Sequence, residues 1–203
     1  MVSTAPPPEQ SGAIPSQIWN LPNILTMFRI VLVPVFVWFM AADASQQGPL
    51  RWWALLAFAV AMYTDQLDGQ IARKRNLVTN FGKIADPIAD KLLTGAALLL
   101  LSMLGELPWW VTIVILAREW GITALRFVVI RYGVMPASPG GKLKTVLQTI
   151  ALVLYLLPLR DVAPAVPAVA FVVMLAAAAV TVATGIDYLV KALRLRAEAL
   201  RAR

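Results

Sequence analysis

Long apolar runs separated by short polar stretches dominate the chain. Six mostly apolar segments lie at 24–42, 50–72, 86–104, 108–130, 143–159 and 163–186. The last is uncharged from Val162 to Ile186, which is long enough to cross the roughly 30 Å hydrocarbon core of a bilayer. The pattern therefore predicts an all-α integral membrane bundle of six transmembrane helices.

The second and third segments each contain an uncharged run that is too short to span a membrane. Trp52 to Thr64 has 13 residues, which at about 1.5 Å per residue reaches only about 20 Å. Leu92 to Leu104 is equally short. Each helix must therefore extend into the Asp-rich stretch beside it, and we expect the carboxylates to lie at or just inside the membrane interface.

The composition strengthens the membrane interpretation and narrows the chemistry. Hydrophobic residues make up 60% of the chain and charged residues 14%, against about 25% charged residues in soluble domains. The chain has no Cys and no His, which excludes disulfides, thiolate metal sites and a phospholipase-D-like mechanism with paired histidines. Acid–base chemistry must then use Asp, Glu, Lys or Tyr. Metal binding must use mainly oxygen ligands, which suit Mg²⁺, Mn²⁺ or Ca²⁺.

The basic residues predict an orientation. The net charge is +7, but clusters at helix ends indicate anionic lipid rather than nucleic acid as the partner. The positive-inside rule places both termini in the cytoplasm of a cell-membrane protein. We divide the chain into a disordered tail at 1–16, a membrane domain at 17–190 and a basic cytoplasmic tail at 191–203. The cations on the cytoplasmic side are Arg73, Lys74, Arg75, Lys83, Arg131, Lys142, Lys144, Lys191, Arg194, Arg196, Arg201 and Arg203.

Four aspartates form the constellation that carries chemistry. Asp65 and Asp68 are three residues apart and share one helix face, and Asp86 and Asp90 are four apart and share a face of the next helix. A polar turn from Arg73 to Gly82 is expected to bring the two faces together. Clustered carboxylates at membrane depth need counter-charge. Hard divalent ions would supply this counter-charge. Two such ions would correspond to the arrangement used in two-metal phosphoryl transfer.

The small residues beside these acids fit the same chemistry. Gly69 and Ala72 would let a nucleotide diphosphate approach the helix, and Arg73 would contact its phosphates. Taken singly, Gly69 and Ala72 are also typical of helix packing, Arg73 is typical of an orientation signal, and Asp86 before Pro87 is typical of a helix cap. Those separate interpretations do not explain the co-facial spacing of all four acids.

The acidic constellation resembles the signature of the CDP-alcohol phosphotransferase family. It reads Asp65-x2-Asp68-Gly69-x2-Ala72-Arg73-x8-Gly82-x3-Asp86-x3-Asp90. The resemblance implies six membrane helices, a homodimer and an active site on the cytoplasmic side. It also implies that Asp65, Asp68 and Asp86 bind metal, with Asp90 at the site as general base, and that the nucleotide part of the donor lies along Gly69, Ala72, Arg73 and Gly82.

The flanking sequences resemble bacterial phosphatidylglycerophosphate synthases within that family, which implies CDP-diacylglycerol as donor and glycerol 3-phosphate as acceptor. Three motifs carry this likeness: Pro22-Asn23-Ile24-Leu25-Thr26-x2-Arg29, Arg118-Glu119-x3-Thr123-x2-Arg126 and Gly140-Gly141-Lys142-x-Lys144-Thr145-x2-Gln148. A phosphorylated acceptor needs a cationic pocket. We assign that pocket to Arg118, Arg126, Lys142 and Lys144, with Asn23, Thr26 and Arg29 lining the same cavity.

Two alternatives stay open from sequence. The same chemistry with another acceptor, such as inositol phosphate, serine or phosphatidylglycerol, would leave the acidic motif unchanged. A non-catalytic divalent-cation transporter or sensor would also place acids in membrane helices. Arg118 and Glu119 have a plainer interpretation too, as an internal ion pair that holds helices together.

Overall fold

The computed structural model describes residues 21–74, 80–129, 139–159 and 163–201, and within these ranges the protein is a bundle of six α-helices without strands. Each helix corresponds to one apolar segment predicted from sequence. The helices are α1 (Leu21–Asp43), α2 (Pro49–Lys74), α3 (Asn80–Met103), α4 (Trp109–Val129), α5 (Pro139–Leu156) and α6 (Ala165–Arg201).

The helices that carry the carboxylates extend well beyond their apolar runs, as predicted. α2 has 26 residues and α3 has 24, which corresponds to about 39 Å and 36 Å of helix. Asp65 and Asp68 therefore lie in the last turns of α2, and Asp86 and Asp90 lie in the first half of α3.

The predicted polar turn between α2 and α3 is too long. Arg73 and Lys74 belong to α2, and Asn80 and Gly82 belong to α3, so that the connection is confined to 75–79, outside the described residues. Positive charges in the last turn of a helix interact favourably with the helix dipole. This explains why α2 continues through Arg73 and Lys74. Asp86 lies inside α3 rather than at its N-terminus, so the interpretation of Asp86 and Pro87 as a helix cap is wrong.

α6 is the longest helix, with 37 residues. It continues through residues 191–201, the stretch that we described from sequence as a basic tail. An exposed ion pair of Lys191 with Asp187, 2.7 Å long, supports this extension at i,i+4 spacing. The described part of the tail is therefore the continuation of α6.

The core is formed by close packing of apolar side chains. α1 packs against α2 and α3, and α6 packs against α4 and α5. The rings of Phe36 in α1 and Phe58 in α2 lie 5.8 Å apart, and Leu93, Leu101 and Ile115 are fully buried in the same cluster. These contacts fix the positions of the helices relative to one another, including the helices that carry the polar residues.

The outer surface is apolar on every helix. Large side chains such as Val31, Leu56, Ile113, Ile150 and Val172 are exposed. Two segments, Asn23–Asp43 and Ala165–Leu195, are long and apolar enough to cross a membrane by length and composition. An all-round apolar exterior is costly in water and is expected of a protein solvated by lipid. The exposed tryptophans Trp52, Trp53, Trp109 and Trp110 lie near the starts of α2 and α4, at one end of the bundle.

That end of the bundle contains a buried ion-pair network. The guanidinium of Arg51 is fully buried, pairs with the Glu106 carboxylate and donates to the Tyr155 carbonyl at 2.9 Å. Asp43 Oδ2 lies 3.7 Å from Arg51 Nη1. The Asp43 carboxylate also accepts hydrogen bonds from the backbone N–H groups of Gln47 and Gly48. The network joins the α1–α2 turn, the α3–α4 turn and α5.

A cavity of about 530 Å³ opens beside this network, lined by residues that include Glu106, Tyr155 and Phe171. The Glu106 carboxylate is already neutralised by Arg51. The candidate chemistry lies at the other end of the bundle, where α2 ends and α3 and α5 begin.

Candidate active site

Two of the signature aspartates are paired with an arginine of α1. Arg29 Nη1 lies 2.5 Å from Asp65 Oδ1, and Arg29 Nη2 donates to Asp68 Oδ2. Arg29 is 1% exposed and Asp68 3%, whereas Asp65 is 35% exposed. One buried guanidinium therefore bridges both carboxylates, and Asp65 keeps access to the surroundings.

The α1 partners follow a helical spacing. Asn23, Thr26 and Arg29 are three residues apart and share one buried face. The Thr26 hydroxyl lies 3.5 Å from Asp68 Oδ2. These residues were assigned from sequence to the acceptor cavity, and the structure places Thr26 and Arg29 directly against the α2 carboxylates. The sequence predicted metal ions as the counter-charge of these acids, and it carried no signal that Arg29 is an internal counter-charge.

Asp90 of α3 lies near cations from α1, α3 and α5. Its partly buried carboxyl lies within electrostatic reach of Arg29, Lys144 and Lys91. Its backbone carbonyl accepts a hydrogen bond of 2.9 Å from Thr94. Its surroundings therefore include both Arg29, which pairs with Asp65 and Asp68, and the lysines of α3 and α5.

The basic residues meet at a single carboxylate. Glu119 Oε1 accepts from Arg118 Nη1 at 3.2 Å and from Lys144 Nζ. Arg118 also donates to the Thr184 hydroxyl of α6 at 3.0 Å. We call Arg118, Glu119 and Lys144 the cationic cluster. It brings together two of the four cations that sequence analysis assigned to the acceptor pocket.

Lys91 was not identified from sequence. Its ammonium donates to the Thr123 hydroxyl and, at 3.3 Å, to the Glu119 carbonyl, and it lies 5.4 Å from the centre of the Trp120 ring. These contacts join α3 to α4 beside the cationic cluster. The available signal was its position next to Asp90 in the acidic motif.

Gln148 lies one turn after Lys144 on the same face of α5. Only 5% of Gln148 is exposed, and its amide oxygen has no hydrogen-bond partner among the described residues. A buried amide oxygen without a partner is costly and is suited to accept a hydroxyl hydrogen bond from a ligand.

Lys142 is exposed, whereas Lys144 is buried, so the two lysines point to different faces of α5. Gly69 directly follows Asp68 in α2 and is partly buried. The remaining predicted residues have helical backbones, but their side chains and surroundings lie outside what the structure describes: Ala72, Arg73, Gly82, Asp86 and Arg126.

The four aspartates of the motif, Asp65, Asp68, Asp86 and Asp90, form what we call the acidic group, and its fit to a divalent ion can be tested. Among residues whose side chains the structure describes, no three acidic groups are close enough to hold one ion. The Asp65 and Asp68 carboxylates nevertheless converge on one cationic group, and the chain provides oxygen donors without His or Cys. This donor set fits a hard ion such as Mg²⁺, with Asp86 and Asp90 as the further ligands that sequence analysis expects.

Comparisons with known proteins agree with these features. A family model described as CDP-alcohol phosphatidyltransferase matches residues 19–183. The chain is 51% identical to a Mycobacterium tuberculosis protein named "Probable phosphatidylglycerophosphate synthase", over 88% of this chain and 84% of that protein. It is 44% identical to the CDP-diacylglycerol–glycerol-3-phosphate 3-phosphatidyltransferase of Bacillus subtilis, over 66% of this chain and 75% of that protein.

A cardiolipin synthase (CMP-forming) of Streptomyces coelicolor is 35% identical over 59% of this chain and 56% of that protein. The family model therefore spans most of the chain, including α1 through α5 and the candidate site. The resemblance noted in the aspartate motif is confirmed, and the chain belongs to the CDP-alcohol phosphatidyltransferase family.

Proposed function

We propose that the protein transfers the phosphatidyl group of CDP-diacylglycerol to sn-glycerol 3-phosphate, forming phosphatidylglycerol phosphate and CMP. The main support is that Asp90 lies near both Arg29, which holds two carboxylates, and Lys144 of the cationic cluster. That juxtaposition suits a reaction between a nucleotide diphosphate and a phosphorylated alcohol. The names of the relatives in Mycobacterium and Bacillus point to the same reaction.

The donor would bind at the acidic group. Asp65, Asp68, Asp86 and Asp90 would hold Mg²⁺ or Mn²⁺, and two bound ions would supply neutralisation of the charge on the pyrophosphate. The small residues Gly69 and Ala72, with Arg73 and Gly82, would line the nucleotide path. The cytidine diphosphate part would then lie near Asp90 at the cytoplasmic end of α2 and α3.

The acceptor phosphate would bind at the cationic cluster. Arg118 and Lys144 offer charge-assisted hydrogen bonds to a phosphate monoester, and Arg126 and Lys142 remain further proposed contacts from α4 and α5. Asn23, Thr26 and Arg29, first assigned to this pocket, are better described as its border with the carboxylates. Gln148 is placed to accept a hydrogen bond from a glycerol hydroxyl.

In the reaction, Asp90 would take the proton of the attacking acceptor hydroxyl. The hydroxyl oxygen forms a bond to the phosphorus that carries diacylglycerol, and the bond from that phosphorus to the CMP oxygen breaks. Arg118 and Lys144 orient the acceptor through its phosphate, so that the hydroxyl is held near the donor. No covalent enzyme intermediate is required.

The decisive assay is CMP release by the purified protein with CDP-diacylglycerol and Mg²⁺, with and without glycerol 3-phosphate. We expect release that depends on glycerol 3-phosphate and on the metal, and its loss in Asp86→Asn. Metal-dependent release with only a different alcohol would keep the catalytic end and refute the acceptor assignment. Silence with every acceptor would refute the reaction.

Phosphatidylglycerol as acceptor is the second candidate, since a cardiolipin synthase is among the relatives. The half-buried Arg118 and the buried Lys144 favour an acceptor with a phosphate monoester of high charge. An acceptor panel with equal concentrations of glycerol 3-phosphate, inositol phosphate and phosphatidylglycerol separates these reactions. Family membership favours either enzyme over the cation transporter or sensor.

We further propose that all six helices cross the cell membrane, with both termini and the acidic group on the cytoplasmic side, and that the protein is a homodimer. The absence of Cys makes the topology directly testable. A single cysteine replacing Gln46, in the α1–α2 turn, should react with a membrane-impermeant maleimide in intact cells. A single cysteine replacing Arg194, near the end of α6, should react only after permeabilisation.

A further inference from the structure

Glu119 occupies the place between two cations that an incoming anion would need. Its Oε1 atom alone accepts from both Arg118 and Lys144. The Glu119 side chain is 19% exposed, that of Arg118 is 17% and that of Lys144 is 8%. An oxygen of an acceptor phosphate would have to use the same N–H donors, because carboxylate and phosphate oxygens bind them in the same way.

Two of the nearby cations, Arg118 and Lys91, have contacts that do not involve the Glu119 carboxylate. Arg118 donates to Thr184 of α6, and its methylene groups lie against Gly185. Lys91, which adds a third positive charge nearby, is held by Thr123 and by the backbone carbonyl of Glu119 rather than by its carboxylate. Arg118 and Lys91 would therefore keep their positions if the Glu119 carboxylate moved away.

We propose that Glu119 is a specificity-determining residue that occupies the acceptor-phosphate position in the resting enzyme and is displaced by the acceptor. This inference rests on the proposed function, in which the acceptor is a phosphate monoester. In the absence of acceptor, the carboxylate neutralises the half-buried Arg118 and the buried Lys144, whose unpaired charges would otherwise destabilise the bundle. Binding then requires an anion that outcompetes a single carboxylate charge.

The consequence is selection by charge. A phosphate monoester carries about −1.5 to −2 near pH 7, so it can replace the carboxylate and gain electrostatic energy. A neutral alcohol such as glycerol cannot. Glu119 therefore weakens acceptor binding overall, and in return it keeps neutral alcohols out of the cationic cluster.

Glu119→Gln in the full-length, purified protein tests the displacement. The amide is nearly isosteric but carries no charge to compete with phosphate. We expect the KM for glycerol 3-phosphate to fall by about tenfold, equivalent to about 1.4 kcal/mol, with a much smaller change in kcat. Competitive inhibition by inorganic phosphate should strengthen by a similar factor.

Thermal unfolding provides a second readout. Without ligand, Glu119→Gln should unfold at a lower temperature than the wild type, because Arg118 and Lys144 lose their counter-charge. The stabilisation produced by inorganic phosphate or glycerol 3-phosphate should be larger in the variant. A purely structural ion pair would lower the unfolding temperature without increasing the response to phosphate.

Glu106→Gln is the matched control, since it removes another arginine-paired carboxylate at the opposite end of the bundle. It should lower the unfolding temperature and leave both the KM and the phosphate response unchanged. Asp187→Asn, in an exposed ion pair, should change neither stability nor KM.

A higher KM with weaker phosphate inhibition in Glu119→Gln would show that Glu119 positions the cations, and an unchanged KM and phosphate response would equally overturn the proposal. If Glu119→Gln does not fold, Glu119→Asp replaces it, because the shorter carboxylate reaches both cations less well and should shift both quantities in the same direction. If wild-type protein releases no CMP with glycerol 3-phosphate, the proposed function fails. The phosphate-dependent unfolding shifts still decide the role of Glu119.

Discussion

At the scale of single residues, the charged side chains of the candidate active site neutralise one another in pairs and triplets. The buried Arg29 bridges Asp65 and Asp68, and the carboxylate of Glu119 neutralises Arg118 and Lys144. Charged groups at membrane depth persist only when they are paired. Each half of the candidate site thus carries an internal counter-ion of the sign that its substrate group or metal would supply.

Asp90→Asn should lower CMP release by about 10²–10⁴-fold, the usual contribution of a general base. The amide cannot accept the acceptor proton, but it keeps the size of the side chain and an oxygen. Steady-state release of CMP measures the loss, and Mg²⁺-dependent thermal stabilisation measures metal binding in the same protein. Full turnover in Asp90→Asn would exclude the residue as the base.

Arg29→Met should lower the unfolding temperature in EDTA, because Asp65 and Asp68 would face each other without their guanidinium. Mg²⁺ should restore more stability to this variant than to the wild type, since the ion would replace the missing charge. Arg29→Lys keeps a positive charge and serves as the control. Mg²⁺ should stabilise it less than it stabilises Arg29→Met. Equal Mg²⁺ responses in all three proteins would contradict this balance of charges.

At the scale of helices, close contact between α4 and α6 sets the position of the cationic cluster. Gly185 of α6 lies so near Arg118 that an added Cβ would stand 3.0 Å from the Arg118 Cγ atom. By contrast, an added Cβ at Gly121 of α4 would meet no atom within 4 Å. A small residue at this crossing lets the arginine lie along α6 and reach Thr184.

Gly185→Val should raise the KM for glycerol 3-phosphate by about tenfold, since displacing a binding group by a fraction of an ångström weakens a positioned contact. The bulkier side chain would push Arg118 away from Thr184. Gly121→Ala, the control, should leave the KM unchanged and should stabilise α4 by up to about 1 kcal/mol through helix propensity. Initial rates over a range of acceptor concentrations measure both variants, and a normal KM in Gly185→Val would refute this role of the α4–α6 contact.

At the scale of the whole molecule, the two ends of the bundle carry different sets of charged residues. One end gathers Asp65, Asp68 and Asp90 with the cationic cluster. The other end holds the buried network of Arg51, Glu106 and Asp43, together with exposed tryptophans. The apolar core between them connects both ends through the same helices.

Arg51→Met should destabilise the protein by about 3–5 kcal/mol, because Glu106 and Asp43 would remain buried without a counter-charge. The KM values for donor and acceptor should not change, since the network lies at the opposite end of the bundle. Unfolding in detergent and steady-state kinetics on the surviving folded protein provide the two measurements. A large change in KM with normal stability would show that the ends are coupled.

Much of this architecture follows from local sequence patterns. Apolar runs predicted six helices. The short runs at Trp52–Thr64 and Leu92–Leu104 predicted that α2 and α3 extend through their aspartates, because a helix that crosses a bilayer must be as long as the hydrocarbon core is thick. Spacings of three and four residues placed the acids of each pair on one face. The turn between α2 and α3 was drawn too long, since helix ends depend on a balance of a few weak terms.

Residue types and the spacing along single helices were enough to predict the membrane class, the family and the oxygen-only donor set, because none of these depends on contacts between helices. The pairing of charges across helices, by contrast, depends on how the helices pack in three dimensions. Arg29 lies 36 positions before Asp65 in the chain, and Lys144 lies 25 positions after Glu119; yet each pair is in contact. The rotation and packing of whole helices set such distances, and no periodicity within a single segment records them.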